Sequence, residues 1–566
     1  MTRMFSTGYA AIEPIKGLKL KETLSYDYTI QKDSRYYNPL SSAGPKSGSD
    51  AQTAKGFIEY GKLISSTSLN YVRTFARKHH LDVLAAYEIE SYQTDHASGE
   101  KSKLPSDKLT EPDNAAVLNS FKSATQAYRM ISYLSRLNYD YDDRYYIAGS
   151  YRRDGSSRLS PNNRWGNFWS VSGMWHLGNE NFMKAVKPVL SNVKIRASYG
   201  VNGNQPGSYY GYKGLYSYGE NYMEAAGSYE SAQPNDLLTW EKNYSLNLGI
   251  DLSFINRIFA SLEYYNRDTK DLLYSLPISA TTGFTSYLSN IGRLNNKGVE
   301  FELRTLNVVS NDFNWTSVFN LSHNRNKIVS LNGLLDQTIE GTWFIHKVGL
   351  PYHTFYVKEF AGVDPLTGSA QYYLNTKNED GSYNRELTTD AAKAESIPYK
   401  TATPKVSGGF TNILNYKWID LTFTLTYSLG GYSFDKLGTY IENGSSSIYS
   451  SRYNLPAYMM NRWQKPGDQT DIPRFVYGEP ATSTNSSRYI HSTDHLRLKN
   501  FTLGFTLPNQ WTQKLMIDKV RVYFSGNNLL TWAKWKQYDP ETPVNGEVFC
   551  EAPAMRTFSF GAQLSF

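Results

Sequence analysis

The chain of 566 residues contains one cysteine, Cys550. That excludes an intramolecular disulfide framework and any metal site built from clustered thiolates. Long apolar runs are also missing. No stretch of about 18 apolar residues occurs, so no transmembrane helix is expected. The opening, "MTRMFSTGYAAIEPIKG", shows neither the apolar core nor the cleavage pattern of a secretory signal. Charge of one sign is nowhere concentrated: 59 basic and 52 acidic residues are scattered, and the net charge of +7 comes without a long basic run. Nucleic acid is therefore not expected as a partner. Helical patterning is scarce and no phosphate-binding P-loop is present.

Aromatic residues are what the chain has in abundance. It carries 46 Tyr, 26 Phe and 11 Trp although only 40% of it is hydrophobic, so aliphatics are few. Aromatics favour strands, and Tyr and Trp suit surfaces that are half apolar and half wet. Alternation dominates the pattern. In "YSLNLGIDLSF", Tyr244, Leu246, Leu248, Ile250, Leu252 and Phe254 share one face, while Ser245, Asn247, Gly249, Asp251 and Ser253 share the other. "GVEFELRT" (298–305) and "IDLTFTLTY" (419–427) repeat the alternation. A soluble sandwich turns such an apolar face inward; an outer-membrane barrel turns it toward lipid.

Lengths and connections separate the two. Many strands are predicted to run about ten residues or more, the length a tilted strand needs to cross a bilayer. Very short connections fall at 13–17, 76–80, 141–143, 254–257, 309–312 and 417–419. Long polar stretches alternate with them near 29–55, 94–126, 204–240, 269–293, 329–403, 433–492 and 533–555. Short periplasmic turns and long extracellular loops give a barrel this rhythm. Two longer periplasmic connections, 178–192 and 507–519, have room for a short helix or turn. The count comes to about seventeen strands, an odd number that begins on a descending strand, as in a barrel whose beginning is missing. The chain ends in "RTFSFGAQLSF", with Phe558, Phe560, Ala562, Leu564 and Phe566 on one face. Such a terminus is similar to the signal read by the outer-membrane assembly machinery.

Several blocks carry a sharper signature. "DDRYYIAGSYRRDGSSRLSPNNRWGNFWSVSGMWHLGNENFM" (142–183) is followed by "VKIRASYGVNGNQ" (193–205), "NIGRLNNKGVEFEL" (290–303) and "VGLPYHTFYVKEFAGVDPLTGSAQYY" (348–373). "LRLKNFTLGFTLP" (496–508) and "KVRVYFSGNNLLTWAKWKQYDPE" (519–541) close the series. In order and spacing these blocks resemble the C-terminal barrel region of SusC/RagA-type TonB-linked outer-membrane receptors. Leu159 and Ser160 depart from the Phe and Gly expected there.

The resemblance implies an all-β, antiparallel transmembrane outer-membrane β-barrel, incomplete, with about the last 17 of 22 strands and without the N-terminal plug. It further implies energised import of oligosaccharides or peptides across the outer membrane. The implied partners are a SusD-like surface lipoprotein at the extracellular mouth, TonB–ExbB–ExbD acting through the missing N-terminal region, outer-membrane lipid and the barrel assembly machinery. A surface glycan-binding or adhesion barrel without transport is the alternative, and a soluble glycan-active sandwich or propeller enzyme a third reading. No acid pair or triad supports the enzyme.

Candidate sites follow. The polar knot Arg152, Arg153, Asp154, Gly155, Ser156, Ser157 and Arg158 places an acid beside two hydroxyls, but the next histidine is His176, a full strand away. Asp-Gly favours a tight turn, so the knot reads as a strand-connecting loop and not as a catalytic site. His79–His80 and His491/His495 read as solvated side chains, since no acidic cluster joins them in sequence. "GVDPLTGS" (362–369) and "QKPGDQTD" (464–471) read as turns with a faint resemblance to calcium loops, calcium being the one cofactor considered. Sugars stack on aromatic rings, and loop aromatics supply such rings. Trp343, Phe344, Tyr352 and Tyr356 lie in the longest loop, Tyr209, Tyr210 and Tyr212 in another, and Trp463 in a third. Of these, Trp343, Tyr352, Tyr356, Trp463 and Tyr210 are the candidate substrate contacts. Packing between loops, or an interfacial girdle, is the competing role for each.

Overall fold

The computed structural model describes residues 1–38, 51–106, 108–331, 337–340, 343–442, 454–476, 484–512, 517–541 and 544–565. Phe566, the proposed assembly-signal residue, lies outside them. Two compact units divide the chain: Met1–His176 with Arg196–Leu246 and Thr269–Ile291, and Leu177–Ile195 with Asn247–Asp268 and Gly292–Phe566. Among the described residues the principal sheet has seventeen strands, the number that the turn rhythm predicts.

The first unit is built on seven consecutive strands. They are β1 (Thr2–Ile15), β2 (Leu18–Tyr37), β3 (Gln52–Phe75), β4 (His79–Ser102), β5 (Val117–Tyr141), β6 (Tyr145–Ser156) and β7 (Trp165–Trp175). Each pairs antiparallel with the next. Then come β8 (Leu190–Asn204), β9 (Glu241–Phe254) and β10 (Ile258–Lys270). The second unit carries β11 (Arg293–Val309), β12 (Phe313–Ser330), β13 (Val406–Tyr416), β14 (Ile419–Leu429), β15 (His495–Thr506), β16 (Lys519–Ala533) and β17 (Thr557–Ser565). These also pair in succession, antiparallel throughout.

All six short connections fall where expected. Most are tight because the backbone turns left-handed in them. Ala76 and Arg77, Asp142 and Asp143, and Ile255 and Asn256 occupy positive φ in successive pairs, the geometry that matches strand twist. At the first turn Gly17 (φ +86°) is required twice over: a Cβ there would also sit 2.3 Å from the Val72 carbonyl oxygen. The two longer connections at 178–192 and 507–519 hold short helical turns at Leu177–Asn179, Asn181–Met183 and Asn509–Thr512.

The opposite ends differ from expectation. Strands β2 to β5 extend into the stretches 29–55 and 94–126, which were expected to be loop. Polar residues stand on both faces there, yet the pairing continues, β2 with β3 out to Tyr37–Gln52 and β4 with β5 out to Ser102–Val117. The other long stretches also carry structure of their own. In the first unit the hairpins Leu215–Tyr222/Ala225–Ala232 and Leu273–Pro277/Ser286–Asn290 occupy them. In the second unit three small sheets form from Gln337–Glu340 to Glu547–Val548.

Alternation sorts the side chains of β4 to β7 onto two faces. On one face Tyr87, Ile89, Tyr133, Leu137, Ile147, Tyr151, Trp169 and Val171 are exposed. Near the short turns that face ends in a belt of rings: Phe75–His79 (4.9 Å), His79–Tyr141 (5.0 Å), Tyr141–Tyr145 (6.4 Å) and Tyr145–Trp175 (6.3 Å). A second belt, Tyr87–Tyr133 (5.2 Å) and Tyr133–Trp165 (6.2 Å), lies about eight to ten residues further along each strand. At about 3.3 Å per residue and a tilt near 40°, the belts stand roughly 20–25 Å apart.

The other face is polar and charge-paired. Lys62 meets Glu90 at 2.9 Å and Arg136 meets Asp82 at 3.2 Å. Tyr128 donates to Glu90, and Asn70 donates to Asp82 at 2.6 Å. The second unit follows the same plan. Arg521 pairs with Asp420 through Nε (2.9 Å) and Nη2 (2.5 Å), and threonine and asparagine pairs cross the strands, such as Thr411–Thr424 at 3.0 Å and Asn500–Asn527 at 3.0 Å.

Candidate functional site

The knot at 152–158 is not a loop. Strand β6 runs through Ser156, so Arg152 to Ser156 stand in the sheet and only Ser157 and Arg158 pass beyond it. The Asp-Gly pair that suggested a turn is paired on both sides, Asp154 with Ser132 and Gly166, Gly155 with Ile131 and Trp165. Cross-strand registry outweighs the local turn preference there. On the polar face Arg152 Nε donates to both Asp154 oxygens (2.7 and 3.0 Å), and Nη2 donates to Ser132 Oγ at 2.9 Å and reaches Glu88 at 3.4 Å. Ser156 Oγ donates to Gln205 Oε1 at 2.6 Å, and Ser157 Oγ accepts from the Arg129 amide at 2.9 Å. Both hydroxyls are thus engaged in holding chain segments together.

Arg158 completes the anchorage. Its guanidinium lies 4.1 Å over the Tyr128 ring and 4.6 Å over Tyr209, and Nη1 donates to the Pro206 carbonyl at 3.0 Å. Tyr210 belongs to the same anchor, its hydroxyl accepting from the Ala127 amide at 3.1 Å. Beneath them Leu159, Phe168, Val201, Leu238 and Trp240 form a buried cluster. The departure at Leu159 is therefore a packed one: its side chain is fully buried. Ser160 donates to the Asp236 carbonyl at 2.7 Å.

In the second unit the loops condense around their own core of Phe344, Phe355, Val357, Phe434, Tyr489 and Ile490. Trp343 stacks on Phe434 (4.9 Å) and donates from Nε1 to Glu547 at 2.9 Å. Tyr352 stacks on His346 at 4.3 Å, and the Tyr356 amide donates to the Trp343 carbonyl at 2.7 Å. The structure thus gathers Trp343, Tyr352 and Tyr356 in one assembly. Trp463 is held elsewhere in the unit, donating to the Pro365 carbonyl at 3.0 Å with its ring against Gly368.

Beside this assembly lies a cavity of about 830 Å3. Arg497, Asn528, Thr531, Trp535, Tyr538 and Cys550 are on its wall. Arg497 is 2% exposed and pairs with Asp539 through Nη2, while Nη1 stands 3.0 Å from Glu541 as an ion contact without hydrogen-bond alignment. Asp435 is 1% exposed, accepts from the Gly438 amide at 2.7 Å, and is pushed up to about 6 by burial. His491 lies flat against Trp535 (4.3 Å) and is pushed down to about 4, again chiefly by burial.

These histidines correct the expectation of solvated side chains. His491 is half-buried in the loop assembly, and His495 is buried with Nδ1 2.8 Å from the Thr493 carbonyl. His79 is part of the lower aromatic belt. His80, Asp140 and Asp143 bring one ligand atom each within 4.8 Å of one another. Sequence reading missed that group because strand pairing, not spacing, assembles it. In the turns that faintly resemble calcium loops, Asp364 accepts from the Leu366 amide and Thr367 Oγ1, and Asp468 accepts from the Gln464 and Lys465 amides. Those donors hold both carboxyls below their ordinary range.

An exposed apolar band between two aromatic belts, backed by a charge-paired polar face and closed by short turns at one end, defines the wall of an outer-membrane β-barrel. The family of TonB dependent receptor-like β-barrels matches residues 2–529, and the chain belongs to it. It is of the SusC/RagA type, and its place is the outer membrane.

Among curated relatives, TonB-dependent receptor P3 of Formosa agariphila is 30% identical over 99% of this chain and 57% of its own length. TonB-dependent receptor SusC of Bacteroides thetaiotaomicron is 31% identical over 83% of this chain and 47% of its own. The solved structure of the RagAB peptide transporter superposes with a TM-score of 0.88 at 28% identity, covering 100% of this chain and 62% of that one. The chain thus spans about half the length of the curated relatives it matches.

Proposed function

We infer that the chain is the C-terminal barrel portion of an energised importer that moves oligosaccharides or peptides across the outer membrane. The observation that carries this reading is the polar face. Many of its charges are paired within the wall, as with Arg152–Asp154 and Arg521–Asp420, and hydroxyl and amide pairs such as Thr411–Thr424 and Asn500–Asn527 lie on the same face, so it suits a hydrated path for a polar solute. The loop assemblies stand at the ends that face outside, with aromatic rings and polar groups together, the composition that polar polymers require. In this reading a SusD-like lipoprotein caps the mouth and TonB–ExbB–ExbD supplies energy through a plug carried by the longer protein. Membership of the SusC/RagA type supports both partners.

The reading is tested by uptake of fluorescent oligosaccharides and oligopeptides in cells with and without the gene. Uptake of one class should require the gene and stop when a protonophore collapses the inner-membrane gradient. Uptake that is indifferent to the gene or to the protonophore would overturn it.

A further inference from the structure

The three arginines of the 152–158 segment stand in different surroundings. Arg152 and Arg158 are held by carboxylates, carbonyls or tyrosine rings on the polar side. Arg153, one residue on from Arg152, points to the opposite, exposed face. Its guanidinium lies 5.0 Å over the Trp165 ring. Trp165 in turn lies flat on Gly155, where an added Cβ would come within 2.8 Å of the indole. Among the described residues Arg153 has no carboxylate partner, and neither has Arg129.

Both arginines stand at or just past the upper belt. Arg153 faces Tyr133 across the β5–β6 pair, Gly155 faces Ile131, and the Ser157 amide donates to the Arg129 carbonyl. Arg129 is therefore about 13 Å beyond Arg153 along the strands, with Trp165 between them. That span is within the joint reach of two long side chains. Between the two belts the outward positions of β4 to β7 are uncharged: Leu81 to Ile89 on β4, Ile131 to Tyr139 on β5, Tyr145 to Tyr151 on β6 and Trp165 to Trp175 on β7. Arg129 and Arg153 are the first charges met on leaving that band for the loop-bearing side. Beyond them the face turns polar, with Gln93 and Thr125 donating to Asp95.

An exposed guanidinium at the margin of hydrocarbon is stabilised by an anion that sits at the same depth. Guanidinium matches phosphate oxygens in pairs, and the aromatic belt fixes that depth at the headgroup level. We propose that Arg129 and Arg153, spaced by Trp165 on its Gly155 seat, form a binding site for the net-anionic phosphate headgroup of an outer-leaflet lipid. The site faces the membrane and is separate from the polar face used for transport.

Native mass spectrometry of the protein extracted from outer membranes in nonionic detergent tests this, with dioleoyl phosphatidic acid, dioleoyl phosphatidylcholine and inorganic phosphate as probes. Phosphatidic acid should be retained over phosphatidylcholine. The double variant Arg129→Ala/Arg153→Ala should bind it about tenfold more weakly or worse, the scale of lost charged hydrogen bonds, whereas Arg136→Ala on the polar face should not. Equal retention by the double variant overturns the proposal. So does displacement by inorganic phosphate at concentrations equal to the lipid's, which would mark a free-anion site. Should the double variant not fold, the unaltered protein decides: preference for phosphatidic acid supports the site, and equal retention of the two lipids sinks it.

Discussion

The second unit contains two arrangements of aromatic residues that are opposites. On its strands they point outward: Phe560 on β17 is 83% exposed, and Phe558 is exposed with it. In its loop assembly they point inward: Phe434 and Phe355 are 0% exposed. The loops behave as a water-soluble domain that buries its apolar groups, and the strands as a wall whose apolar groups await lipid. One chain thus answers to two solvents, and the boundary between them falls where strands pass into loops.

Substitutions can break that contrast from either side. The largest effect is expected for Phe434→Ala, which empties the centre of the loop core. The loss should be about 3–5 kcal/mol of local stability, read as faster amide exchange at 432–435 and 490–492. Phe560→Ala should cost well under half as much in urea unfolding from micelles, because lipid or detergent fills the space. Arg497→Ala leaves Asp539 without its buried partner, while Glu541 keeps Lys499 at 2.6 Å. An effect of about 3–5 kcal/mol is expected, with protease cleavage appearing in 534–541. If Arg497→Ala and Phe434→Ala leave the loops as well protected as in the unaltered protein, the soluble-domain description is wrong.

The wall responds to the opposite change. Leu425 faces Phe410 and Leu498 on the apolar side. Leu425→Arg should destabilise the membrane-inserted protein by about 2–4 kcal/mol, seen as loss of heat-resistant gel mobility. An arginine placed at an exposed loop position by Lys465→Arg should change nothing.

The smallest net effect is with pH, because two groups oppose each other. Asp435, raised to about 6, holds its proton in the folded loops when the unfolded chain has lost it. Its contribution is therefore present at pH 4 and falls away as pH rises through about 6. His491, lowered to about 4, does the reverse: folding is disfavoured below about 6.5, where the unfolded chain takes up the proton, and the penalty disappears as pH rises. Each term is roughly 3 kcal/mol. Loop protection should change little between pH 4 and 7 in the unaltered protein. Asp435→Asn should leave protection that rises with pH, and His491→Gln protection that falls. Identical slopes in the two variants would exclude this balance.

Much of the wall was legible in the sequence, because alternation and tight-turn residues are local signals. Seventeen strands and all six short connections follow from them. The upper limits of β2 to β5 were not, since strand residues that are polar on both faces look like loop residues. The knot misled for a related reason: Asp154-Gly155 carries a turn preference that only pairing with β5 and β7 overrides. The roles of the loop aromatics were out of reach. Trp343 meets Glu547 and Trp463 meets Pro365 across separations that no local pattern encodes. The same holds for His491, whose four-residue spacing from His495 says nothing about Trp535.

Cys550 is exposed, takes a positive φ of 57°, and stands on the wall of the 830 Å3 cavity. As the single thiol of the sequence it is a ready-made attachment point for a spin label or fluorophore. A solute lodged in that cavity should slow its reaction with maleimide, which the labelling rate measures. Within this chain, a label at Cys550 places a probe on that wall without an engineered cysteine.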